Sequence, residues 1–313
     1  MKRWTANDIP PQYGRTAIVT GTGGLGFEDA LALAHAGASV ILAGRNSVKA
    51  AEAIRRVEHA VPQSDIRFEK IDLASLVSIE SFAERVAKTC SRIDLLINNA
   101  GVMVPPRRLS TEDGFELQLG TNYLGHFALT AHLMPLLRKA EAPRVVSVSS
   151  VAARAGAIDF EDLNAVRNYN PMAVYSQSKL ACLMFALELQ RRSEEGRWGV
   201  MSLAAHPGIA RTDLLHNGPG RWSLHGLVRT LLPFLFQPPT IGALPTLFAA
   251  TAPDALGGAY YGPDGMAETR GYPTHAKVPS QARDRDAAAK LWRISEQLTH
   301  TRFPERSQDP SVH

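Results

Sequence analysis

Tyr175 and Lys179 stand four residues apart in Tyr175-Ser176-Gln177-Ser178-Lys179, a stretch with a helical pattern, so both project from one face. An ammonium beside a phenol stabilises the phenolate. Such a tyrosine can give or take a proton at an alcohol or carbonyl oxygen. Tyr-x-x-x-Lys is a common spacing, and chance helical neighbours are the plain alternative. A second signal is residues 19–28, VTGTGGLGFE. Its glycines follow an apolar run and precede a helical pattern, the context of a phosphate-binding loop. Small residues let the backbone approach a pyrophosphate, and a helix N-terminus offers N–H donors. A glycine-rich turn without a ligand has the same local look. Arg45 follows the second apolar run. At that place an acidic residue suits a ribose 2′-hydroxyl and an arginine a 2′-phosphate. Arg45 thus favours NADP over NAD, with a solvated loop arginine as the alternative. Asp72, after the third run, can accept from an adenine amino group or cap a helix.

These groups need a scaffold that brings them to one edge. Apolar runs at 17–19, 39–43, 66–71, 95–97, 145–148, 200–204 and 259–261 read as strands. Between them, 26–36, 47–59 (capped by Ser47), 75–89, 111–139 and 175–192 read as helices. The alternation implies an α/β fold, a doubly wound parallel sheet of about seven strands. In such a sheet Asn98 to Gly101, Ser149-Ser150 and His206-Pro207-Gly208 all share the carboxyl edge with the tyrosine helix. A single domain over 1–313 is expected, its core at about 14–265. Residues 291–298 read as a terminal packing helix within a C-terminal extension from about 266. The ends, before Gly14 and from about Pro304, are expected to be loose.

Taken together, NNAG (98–101), TNYLGHF (121–127), VVSVSS (145–150), YSQSK (175–179) and HPGIART (206–212) make a specific set. On these motifs the chain resembles the short-chain dehydrogenase/reductase family, in its retinol dehydrogenase-like branch. The likeness runs from about residue 15 to 212, and more weakly to about 260. It implies a Rossmann fold and a set of roles. Ser150 would hydrogen-bond the substrate oxygen, and Tyr175 would donate or accept the proton. Lys179 would bind the nicotinamide ribose and stabilise the phenolate, and Asn122 would hold a relay water. Thr212 would bond the nicotinamide carboxamide, with Pro207 and Gly208 lining the ring. Further expected cofactor contacts are Gly21, Thr22, Gly24, Leu25, Gly26, Arg45, Asp72, Leu73, Asn99, Ala100 and Gly101. Ser149 is expected only to pack. The chain departs from the family at the loop, usually Thr-Gly-x-x-x-Gly-x-Gly, which is one residue shorter here between Gly21 and Gly24.

With 313 residues, 45% of them hydrophobic and 20% charged, the chain can bury a large core. A net charge of +4 without a basic block gives no support for a nucleic-acid partner. Cys90 and Cys182 read as free thiols, and no Cys/His cluster has metal spacing. With no signal-peptide pattern and no run that spans a bilayer, a cytoplasmic enzyme is the expectation. The apolar stretch at about 212–239 is expected to form a lid over a bulky apolar substrate. A subunit contact, or a peripheral membrane surface, are its rivals. The expected function is NADP(H)-preferring interconversion of an alcohol and its carbonyl, in a chain the resemblance makes a candidate homo-oligomer. A non-catalytic dinucleotide sensor is the alternative, favoured by the short loop. A sugar-nucleotide epimerase fits the NNAG and Pro-Gly segments poorly.

Overall fold

In the computed structural model, residues 3–209 and 237–304 are described. Among them eight strands form one sheet. They are β1 (Thr16–Thr20), β2 (Ser39–Gly44), β3 (Ile66–Lys70), β4 (Leu95–Asn98), β5 (Arg144–Val148), β6 (Met201–Ala205), β7 (Tyr260–Pro263) and β8 (Pro273–His275). The order is β3-β2-β1-β4-β5-β6-β7-β8, parallel from β3 to β7. β8 runs antiparallel to β7.

Successive strand residues point to opposite faces, so apolar strands feed two cores. Ile18, Ile41 and Leu96 pack on one side with α3 (Leu76–Thr89), α4 (Gly125–Leu137), α5 (Pro171–Gly196) and α7 (Arg285–Thr299). Val19, Val40, Leu42 and Ile97 pack on the other with α1 (Gly24–His35), α2 (Ser47–Ala60) and α6 (Leu244–Thr251). The terminal helix α7 is anchored by buried Trp292, which meets Phe127 and Phe185 at centroid distances of 5.1 and 5.7 Å. Its Ser295 bonds the Tyr123 hydroxyl at 2.7 Å.

Several expectations change. Asn46, not Ser47, caps α2, its Oδ1 accepting the Lys49 N–H at 3.0 Å. Helix 111–139 begins later: Thr111 to Glu116 is a turn closed by a Ser110–Glu116 bridge, and a wide π turn, Leu119–Leu124, precedes α4. α5 starts at Pro171 behind the Asn170 cap, four residues before Tyr175. The N-terminal segment is docked rather than loose from residue 3. Trp4 packs edge-on against Phe248 at 5.3 Å, and Gln12 is buried. Tyr13 covers Gly37, where a Cβ would stand 2.4 Å from its ring. β8 is an addition, too short and Pro-led to show a pattern. Residues 212–236 of the expected lid, like those from Glu305 onward, lie outside the described residues, while Pro239–Gly242 forms one helical turn.

Candidate active site

The carboxyl ends of the parallel strands open onto a cavity of about 560 Å³, a size ordinary for a small-molecule site. β1 delivers the glycine loop. Only residues 21–23 separate β1 from α1. Gly21 has φ +99°, and a Cβ there would stand 2.8 Å from Asn99 Nδ2. A Cβ at Gly26 would stand 2.4 Å from the Gly21 carbonyl oxygen, so only glycine lets α1 close on the strand end. Thr22 leans on Gly44 of β2, where a Cβ would meet its methyl at 2.7 Å. Gly21, Thr22, Gly24 and Leu25 line the cavity; Gly26 lies behind them as packing.

β1 and β4 are stitched together at this edge. Thr20 Oγ1 accepts the N–H groups of Asn99 (2.9 Å) and Ala100 (3.0 Å), and Asn99 Nδ2 donates to the Thr20 carbonyl at 2.8 Å. Asn99, Ala100 and Gly101 thereby line the cavity floor. His126 joins this knot: its Nδ1 donates to the Asn122 carbonyl at 2.9 Å, leaving Nε2 to accept from Thr20 Oγ1 at 2.9 Å. Burial, then the Lys179 charge, push His126 down to about 4 against the bond to Asn122, so the ring is neutral at pH 7.

β5 ends at Ser149-Ser150. Ser149 Oγ donates to the Lys179 carbonyl at 2.7 Å, fastening α5 to the strand, so the packing role fits. Ser150 lines the cavity, its Oγ accepting the Ala152 N–H at 3.2 Å. Tyr175 and Lys179 line the same wall, buried to 6% and 4% exposure. Lys179 Nζ donates to the Val148 carbonyl at 2.9 Å. Asn122 does not line the cavity. Its Oδ1 accepts the Val102 N–H at 2.7 Å, and Nδ2 donates to Val102 O and Ser178 Oγ, each at 3.0 Å. Its carbonyl also takes the Cys182 S–H at 3.2 Å. Cys182 and Cys90 are both free thiols.

At the far end, Arg45, Asp72 and Leu73 line the cavity. Asp72 Oδ1 closes a turn on the Ala74 N–H at 2.9 Å, while Ser75 caps α3, so Asp72 is not the cap. Beyond Ser150, at the end of the neighbouring strand β6, Pro207 and Gly208 line the cavity. Thr212 lies outside the described residues.

Sequence reasoning missed Lys49. It lines the cavity one helical turn beyond Arg45, and both are exposed. Neither takes part in an ion pair among the described residues. The signal was Arg45-x-x-x-Lys49 behind an Asn cap. His126 was missed too, although it falls four residues after Asn122 in TNYLGHF. The donors of the α1 N-terminus, the glycine-rich loop and the cations at one end fit a dinucleotide.

A family model described as short chain dehydrogenase matches residues 15–219. Retinol dehydrogenase 13 of Mus musculus is 42% identical over 91% of this chain and 84% of its own length. Polyprenol dehydrogenase of Mus musculus is 39% identical over 93% of this chain and 85% of its own. A crystal structure of an uncharacterized protein from Mycobacterium paratuberculosis superposes with a TM-score of 0.81, at 39% identity, over 97% of this chain and all of that one. No helix among the described residues is long and apolar enough to cross a membrane. A match of that length, with relatives this similar along nine tenths of the chain, supports one assignment: the chain belongs to the short-chain dehydrogenase family, in its retinol dehydrogenase-like branch, and is an NAD(P)-dependent oxidoreductase acting on CH–OH groups.

Proposed function

We propose that the protein interconverts a bulky apolar alcohol and its carbonyl compound, prefers NADP(H), and uses Tyr175 as general acid and base. The observation that carries this is one wall holding Ser150, Tyr175 and Lys179, in a cavity whose far end holds Arg45 and Lys49. The cofactor supplies or takes the hydride when bound. Gly21, Thr22, Gly24 and Leu25 would approach its pyrophosphate, and Arg45 with Lys49 its 2′-phosphate. Asp72 and Leu73 would face the adenine, and Pro207 and Gly208 the nicotinamide.

In reduction, the Tyr175 hydroxyl gives its proton to the substrate oxygen as charge develops there. Ser150 Oγ–H donates to the same oxygen, stabilising that charge. Its Oγ already accepts one bond, from Ala152, so its proton is free to serve the substrate. Lys179 is oriented by Val148 O and would stabilise the phenolate. Asn122 holds Val102 and Ser178 in place, and through them the cavity floor and the tyrosine helix. A relay water on Asn122 would share a carbonyl that His126 and Cys182 already use. The lining of Val102, Met103, Val151, Met172 and Ile209 suits an apolar substrate, and the relatives above are named for retinol and polyprenol.

The test is a titration with NADPH and with NADH, followed by nicotinamide fluorescence, then turnover with a panel of long-chain aldehydes, retinal among them. NADPH is expected to bind at least about tenfold tighter than NADH, equivalent to ~1.4 kcal/mol. Equal affinities would remove the 2′-phosphate reading. NADPH binding without turnover of any carbonyl would favour a sensor.

A further inference from the structure

Glu268 lies outside the cavity lining, yet three segments meet on its carboxylate, and two of them lead into that lining. Oε2 accepts from His206 Nε2–H at 3.0 Å and from the Arg154 guanidinium, and Oε1 accepts the Lys277 N–H at 3.0 Å. Arg154 sits in the turn Val151–Ala155, which follows directly on Ser150, and also donates to Ala267 O at 3.2 Å. His206 is fully buried between β6 and Pro207, and its Nδ1 accepts the Gly208 N–H at 3.2 Å. With Nδ1 an acceptor, the ring proton belongs on Nε2, facing the carboxylate. One side chain thus reaches the Ser150 turn through Arg154 and the Pro207-Gly208 turn through His206.

The surrounding backbone is shaped to hold this junction. Ala267 and Glu268 have φ of 53° and 58°, left-handed values that persist in non-glycine residues only where neighbours enforce them. Gly208 has no space for a side chain, since a Cβ would stand 2.3 Å from the Thr269 carbonyl oxygen. That oxygen accepts the Ile209 N–H at 2.8 Å. At Gly262 a Cβ would stand 2.1 Å from His206 Nε2. The Tyr260 ring lies 5.1 Å from the His206 ring, and its hydroxyl donates to Ser150 O at 3.3 Å.

We propose that Glu268 is a positioning residue for hydride transfer, holding the turn after Ser150 and the Pro207-Gly208 turn at a fixed separation so that nicotinamide and substrate carbonyl meet. This rests on the nicotinamide reading of the cavity made above. A displacement of about 1 Å at a reacting pair can cost about a hundredfold in rate. Glu268 makes no bond at the Arg45 end of the cavity, so its loss spares affinity and disturbs the ring.

Wild type, Glu268→Gln, Glu268→Ala and Arg154→Gln are titrated with NADPH, recording the midpoint, the nicotinamide emission and the melting temperature. Gln keeps the length but turns an N–H₂ toward one of the donors. The expected result is a Kd within about threefold of wild type with altered emission. For a carbonyl the wild type reduces, kcat falls at least about tenfold, more for Ala than for Gln, while KM for the carbonyl stays near wild type. If Glu268→Ala does not fold, the Gln and Arg154 variants make the same comparison. Variants with wild-type emission and kcat overturn the proposal, even if their melting temperature drops, because the junction would then be structural only. A wild type that leaves NADPH emission unchanged overturns the cofactor reading and this proposal with it.

Discussion

The two ends of the cavity are built by opposite means. At the Arg45 end the walls are the glycine loop with Thr22 and Leu25 and the segments after β2 and β3, with two exposed cations that have no ion-pair partner among the described residues. At the Tyr175 end nearly every polar group is buried and bonded to another, as in Ser149 to Lys179, Lys179 to Val148, Asn122 to Val102 and His206 to Glu268. On the proposed reading, the first end would recognise charge through exposed side chains. The second fixes geometry and tolerates little. Binding and chemistry should therefore be separable by mutation.

The largest effect is expected at the fixed end. Tyr175→Phe removes the hydroxyl proposed as proton donor and keeps the ring. Turnover should fall about 10³-fold, within the range general acid–base groups contribute. NADPH affinity should stay within about twofold. A matching loss of both in stopped-flow and titration would erase the distinction between the ends.

Next comes the knot between them. His126 is held at about 4 by burial and then by Lys179, against 6.5 when unfolded. Its depressed value means the unfolded chain binds the proton first. The stability it contributes is present above pH 6.5 and lost as pH falls from there toward 4, by roughly 3 kcal/mol. Urea unfolding of wild type and His126→Asn between pH 4 and 7 should show this slope weakened in the variant. Equal slopes would show that the ring does not couple to folding.

At the open end the effect is smaller and falls on choice of cofactor. Arg45→Asp should lower the NADPH/NADH ratio of kcat/KM about 30-fold, the equivalent of ~2 kcal/mol for one charged hydrogen bond. Lys49→Ala should lower it about threefold, leaving kcat with saturating NADPH unchanged. If Lys49→Ala changes nothing, the second cation is only a solvated helix residue.

This division also explains what could be read from the sequence. The strands and the candidates Ser150, Tyr175 and Lys179 come from local patterns, apolar runs, a four-residue spacing and quoted motifs, while the order of the strands is given by the structure, which carries them to one edge. Lys49 is missed because a lysine in the first turn of a helix looks solvated until the end of β2 is seen beside it. Asn122 looks like a cavity residue by motif, but the wide turn Leu119–Leu124 aims its amide at Val102 and Ser178. The Glu268 junction joins residues 154, 206 and 268, and no periodicity links positions so far apart. Its carriers, two non-glycine residues with positive φ, have no sequence signature at all.

The sheet has two margins, and both discourage growth. β8 is three residues long and begins with Pro273, which has no N–H to offer a further strand. At the other margin β3 carries Arg67, Glu69 and Lys70, with Arg85 paired to Glu69 and bonded to the Lys70 carbonyl. An incoming chain would meet charge at one side and a missing donor at the other. A concentrated solution of the folded protein should thus resist fibrous aggregation through these two strand edges.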